Sequence, residues 1–119
     1  MSRYKELCAG VDVPPGTMKG FKVGDLDVLV ANVEGTFYAV EGICPHMSGY
    51  LAKGRLEGTD VVCPVHGARY DMKTGKVTKD IPWIMKRMSK IQARELATYP
   101  VRVEGGTVSI EDPRSIAGS

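Results

Sequence analysis

Residues 63–75 read CPVHGARYDMKTG, and an earlier short stretch, residues 44–46, reads CPH. Cys44 and His46 are one residue apart, Cys63 and His66 are two apart, and sixteen residues (47–62) separate the pairs. Taken singly, each Cys reads as a small buried hydrophobe and each His as a hydrogen-bonded loop residue. The chain has only two His and three Cys, however, and four of these five fall in the two pairs. Each loop thus supplies one thiolate and one imidazole. That symmetry suits a binuclear centre in which one metal takes both sulfurs and the other both nitrogens. A single tetrahedral Zn²⁺ in a structural module is the competing reading. Cys₂His₂ fingers group their cysteines together and their histidines together, whereas this chain alternates them.

Outward from these loops the chain reads as short strands punctuated by glycine. Tyr4–Cys8 is a first strand, and Pro14-Pro15-Gly16 a turn. Phe21–Val23 and Val28–Val33 are joined at Gly24-Asp25, and Glu34-Gly35 marks the step to Thr36–Val40. Arg55–Leu56 and Asp60–Val62 flank Glu57-Gly58; Arg69–Met72 and Lys76–Thr78 flank Lys73-Thr74-Gly75. Pro100–Glu104 and Thr107–Glu111 flank Gly105-Gly106. Regular spacing of this kind predicts a small all-β sandwich or barrel of antiparallel strands.

One segment departs from the pattern. PWIMKRMSKIQARELAT, residues 82–98, contains no Gly and only its opening Pro. Ile84, Met88, Ile91 and Glu95 follow helical spacing, and Lys86, Lys90 and Arg94 lie four apart on the other side. The expectation is an amphipathic helical insertion opened by Pro82, with a basic outer face. Solvation accounts for such a face in most helices. Docking of an acidic redox partner is the sharper alternative. The tail, 113–119, is polar and expected to fray.

The stretch 63–75, with Gly67 after the second His, an aromatic at Tyr70 and the Thr74-Gly75 turn, resembles the second loop of the Rieske [2Fe–2S] proteins. In that family two His replace two Cys on one iron. The resemblance runs from about Tyr4 to Asp112. It implies one Rieske domain over 1–112, built on a base of strands, with a cluster-binding subdomain near 41–80 and the helical insertion near 82–98. It also implies one [2Fe–2S] cluster per chain, held by Cys44, His46, Cys63 and His66. Pro45 and Pro64 would stiffen the loops by fixing φ. Gly49 and Gly67 would admit the backbone closely enough to donate N–H bonds to sulfur. High-potential members carry a Ser two residues after the second His and a Tyr two further on. Here those positions are Ala68 and Tyr70, so one hydroxyl donor is missing. The potential is then expected in the lower part of a range of roughly −150 to +300 mV, raised somewhat if Tyr70 donates. Tyr70 as plain core packing is the alternative. The midpoint is also expected to fall at alkaline pH, because imidazoles on oxidised iron lose their outer proton more readily.

Composition narrows the function. At 119 residues the chain is one domain with a feasible core. A net charge of +2 is too small to argue for nucleic acid, and no apolar run approaches a membrane span of about 18 residues. The N-terminus lacks the apolar core of a signal peptide, so a cytoplasmic location is expected. With Cys44 and Cys63 on metal, only Cys8 remains, so no internal disulfide is expected; Cys8 reads as a buried or half-buried strand residue. No nucleophile–base pair, nucleotide loop or mononuclear iron triad is present, and the chain is too short for an oxygenase's catalytic domain. The resemblance therefore implies no enzyme but a soluble ferredoxin that passes single electrons from a flavoprotein reductase to an oxygenase or another acceptor. A small Rieske-like subunit of a nitrite-reductase-type enzyme shares the fold and remains the alternative. Met47 and Tyr50 are candidates for an apolar docking rim.

Overall fold

The computed structural model describes residues 4–43, 50–64, 67–79 and 95–111. These form eleven strands: β1 (Tyr4–Ala9), β2 (Met18–Val23), β3 (Leu26–Val33), β4 (Thr36–Glu41), β5 (Arg55–Glu57), β6 (Asp60–Val62), β7 (Arg69–Asp71), β8 (Val77–Lys79), β9 (Thr98–Tyr99), β10 (Val101–Glu104) and β11 (Thr107–Glu111). They pair into three antiparallel sheets, β1-β11-β10, β2-β3-β4-β9 and β5-β6-β7-β8. The all-β expectation holds.

Most of the turns are those the glycines predict. Glu34 and Gly35 both take positive φ (53° and 92°), as do Gly105 and Gly106 (57° and 80°). Two consecutive left-handed residues match the type I′ turn, whose twist fits the strands it joins. Between β5 and β6 the turn falls at Gly58-Thr59, one residue later than the expected Glu57-Gly58, because Glu57 is still paired opposite Asp60. Those facing carboxylates would repel. Arg69 bridges them, donating to Glu57 at 3.0 Å and to Asp60 at 3.3 Å, while Thr78 donates to Asp60 at 3.1 Å.

The middle sheet is buried on both faces. Along β3, Leu29 and Ala31 point into one core and Val28 and Val30 into another. The first core joins this sheet to β5–β8 through Val61, Cys63, Ala68, Tyr70 and Met72. The second joins it to the terminal sheet through Val108 and Ile110. A strand buried on both sides loses polar alternation, which is why β3 reads LDVLVANV.

The helix expected over 82–98 does not extend over residues 95–98. Residues 95–97 have no regular structure, and Thr98 opens β9, which pairs with Ala39 and Val40 of β4. Leu96 is buried in the first core, and its N–H donates to the Gly75 carbonyl at 2.7 Å. The Glu41 N–H donates to the Ala97 carbonyl at 2.9 Å, and the Ala97 N–H to the Glu41 carboxylate at 2.8 Å. Pro100 also disfavours helix at the residue before it. The rest of the expected helix, 82–94, and the tail lie outside the described residues.

Candidate metal centre

Cys63 is the one expected ligand within the described residues; Cys44, His46 and His66 lie outside them. Cys63 follows β6, is 2% exposed, and packs with Leu51, Ala68 and Tyr70 in the first core. Its loop is closed by backbone: the Cys63 N–H donates to the Ala68 carbonyl at 2.8 Å, and the Gly67 N–H to the Cys63 carbonyl at 3.1 Å. Gly67 has φ +75°, and a Cβ there would meet no protein atom within 4 Å. Its glycine is therefore required by the left-handed backbone rather than by crowding.

The flanks of the first loop are clamped as well. Ile43 and Tyr50 form an isolated antiparallel bridge, and the Leu51 N–H donates to the Gly42 carbonyl at 2.9 Å. Gly42 in turn donates to the Asp27 carbonyl at 2.9 Å, and a Cβ on it would lie 3.2 Å from the Val28 nitrogen. Gly54 makes the tightest approach: a Cβ there would lie 1.9 Å from the Val62 carbonyl oxygen and 3.2 Å from Pro64 Cδ. The chain leaving the first loop is thereby pressed against the strand that delivers Cys63.

Gly42, Leu51 and Gly54 were not singled out from the sequence. The available signal was a glycine outside any turn dipeptide, in LAKGR, just before a strand. Of the expected supporting residues, Gly67, Ala68 and Tyr70 border the Cys63 loop, with Ala68 and Tyr70 buried. Gly49 and Met47 lie outside the described residues. Tyr50 is 47% exposed, with the Lys53 ammonium 5.7 Å from its ring centroid. Cys8 is half-buried in β1, opposite Val108. Burial, and secondarily Asp12, pushes its thiol up from the ordinary range.

A thiol enclosed by apolar side chains, on a loop closed by two backbone bonds, fits a metal-bound sulfur. Two thiolates with two imidazoles form a donor set suited to a mixed-ligand iron–sulfur centre. The fold and the described part of the site thus define a small β domain whose buried Cys63, on a closed loop, suits a metal ligand. The chain belongs to the Rieske [2Fe-2S] domain family, whose model matches residues 3–100.

Among its relatives is the ferredoxin component of the naphthalene 1,2-dioxygenase/salicylate 5-hydroxylase systems of Ralstonia sp. That protein is 31% identical over 100 residues, covering 84% of this chain and 86% of the relative. The ferredoxin component of biphenyl 2,3-dioxygenase from Rhodococcus jostii is 33% identical over 106 residues, covering 89% and 90%. A chain of the complex of reduced oxygenase and oxidized ferredoxin in carbazole 1,9a-dioxygenase superposes with a TM-score of 0.77 at 28% identity, covering 93% of this chain and 94% of the other. Among the described residues no helix is long and apolar enough to cross a membrane.

Proposed function

We propose that this protein is a one-electron carrier that takes electrons from a flavoprotein reductase and delivers them to an oxygenase, without catalysing a reaction on a substrate itself. It carries one [2Fe–2S] cluster per chain. In this reading the Cys44 and Cys63 thiolates hold one iron, and His46 and His66 hold the other. When bound, the cluster supplies a reversible one-electron couple, whose potential is raised by exchanging two thiolates for neutral imidazoles.

The protein's own residues keep the Cys63 side of that site buried and its loop closed. Leu51, Ala68 and Tyr70 share the buried core with Cys63. The bonds from the Cys63 and Gly67 amides fix the loop, and Gly54 locks it to the exit of the first loop. Ala68 places no hydroxyl beside the loop, so the potential falls in the lower part of the Rieske range, with Tyr70 as the remaining side-chain donor. A cytoplasmic location suits such a shuttle.

The observation that carries this reading is the buried Cys63 on its closed loop, in a chain whose family match spans 3–100. EPR of the anaerobically purified, dithionite-reduced protein tests it. A rhombic signal with an average g-value below that of all-cysteine [2Fe–2S] centres is expected. A colourless, EPR-silent protein containing stoichiometric zinc would overturn it.

A further inference from the structure

Beside Cys63 lies an open cleft of about 500 Å³, bordered by Lys53, Arg55, Pro64, Arg69 and Lys79. Among the described residues, every charged side chain that lines it is a cation. Arg55 and Arg69 are partly balanced by Glu57 and Asp60, which flank the cleft without lining it. Among the described residues, neither Lys53 nor Lys79 has a carboxylate within ion-pair distance. Both are exposed, as is Arg55.

Three separate stretches place this charge: Lys53 leaves the first loop, Arg55 opens β5, and Arg69 and Lys79 lie opposite each other on β7 and β8. The pairing of β7 with β8, together with the Gly54 contact, brings the four cations around one loop. Cations converging without lining carboxylates create a field that attracts anions and orients their approach.

We propose that this cleft is where the protein docks its redox partner, and that the partner presents a carboxylate-rich surface to it. The inference rests on the carrier reading and specifies the partner's chemistry. Lys53 and Lys79 steer the encounter and Arg55 and Arg69 shape the floor, so that the partner stops against the Cys63 loop. One electron then passes between the two proteins, the one being oxidised as the other is reduced.

Three proteins test this: the native chain, Lys53→Glu/Lys79→Glu, and Lys73→Glu/Lys76→Glu. The last makes the same charge change on exposed residues at the far turn between β7 and β8. The reduced proteins are oxidised in stopped flow by ferricyanide, which accepts one electron to become ferrocyanide, and separately by the cation tris(phenanthroline)cobalt(III). At about 0.01 M ionic strength, where screening extends about 30 Å, the ferricyanide rate is expected to fall about tenfold in the Lys53/Lys79 variant and much less in the control. The cobalt complex is expected to show the opposite trend, and both differences shrink at high salt.

Binding of fluorescein-labelled poly-L-glutamate, followed by anisotropy, gives a readout that needs no iron. It should weaken about tenfold in the same variant alone. Equal changes in both variants would overturn the cleft in favour of net charge, and unchanged rates and binding would overturn it outright. A protein that carries no iron would sink the carrier reading by itself, and the poly-glutamate binding then decides the cleft.

Discussion

Asn32 is 4% exposed, and its amide is used at both ends. Its Nδ2 donates to the Val13 carbonyl and its Oδ1 accepts from the Gly35 N–H, each at 2.8 Å. Asn32→Ala strands both backbone groups and is expected to cost about 1–3 kcal/mol, read from the urea midpoint. Tyr70 is fully buried, so Tyr70→Phe keeps its packing and removes only the hydroxyl. A lowered midpoint potential is expected in spectroelectrochemical titration; an unchanged one would mean that Tyr70 serves the core alone. Glu57 responds to acid. Hydrogen bonds from Arg55, then Arg69, hold its carboxyl below the usual carboxylate range. Its contribution is therefore present above the unfolded value of about 4.3 and is lost as pH falls through the lower folded value. Glu57→Gln should flatten the acid side of a plot of urea midpoint against pH. Salt should weaken the effect in the native chain, because the carboxylate is exposed.

At the level of the element, the short strands β5–β8 owe their positions to contacts at their ends. Gly54 is the sharpest case. Its φ of −83° is not left-handed, and the objection to a side chain is the close backbone approach. Gly54→Ala pushes a methyl into the Val62 carbonyl. The expected cost is about 1–3 kcal/mol, with reduced iron per protein because the shifted strand end carries Cys63. Iron assay and urea unfolding on one preparation measure both. Strand β9 is held in the same way, by Leu96 in the core and by bonds to Gly75 and Glu41. These contacts override the helical spacing that ran through Glu95.

For the whole molecule, the shared middle sheet decides the behaviour. Leu29 and Val40 sit in one continuous core with Cys63 and Tyr70, so the loop-bearing sheet has no separate interior. Cluster release, followed by visible absorbance, and loss of strand structure, followed by far-UV circular dichroism, are expected at the same urea concentration. Leu29→Ala should lower both transitions together, by about 2–5 kcal/mol. Loss of colour well before loss of strand signal would show that the loops unfold on their own.

The sequence by itself placed most of the hairpins, since turn-forming glycines between alternating apolar runs mark where strands end, although between β5 and β6 the turn lies one residue further on. It also made the candidate ligands legible, because two Cys and two His in two short pairs stand out without a fold. Tertiary structure alone decided that residues 95–97 are not helical and that Thr98–Tyr99 form a strand, since burial of Leu96 and pairing with β4 outweigh local spacing. It alone placed Gly42 and Gly54 as clamps, because a close backbone approach leaves no periodic trace in sequence. It alone gathered Lys53, Arg55, Arg69 and Lys79 at one cleft, because residues that are distant along the chain become neighbours only through sheet pairing.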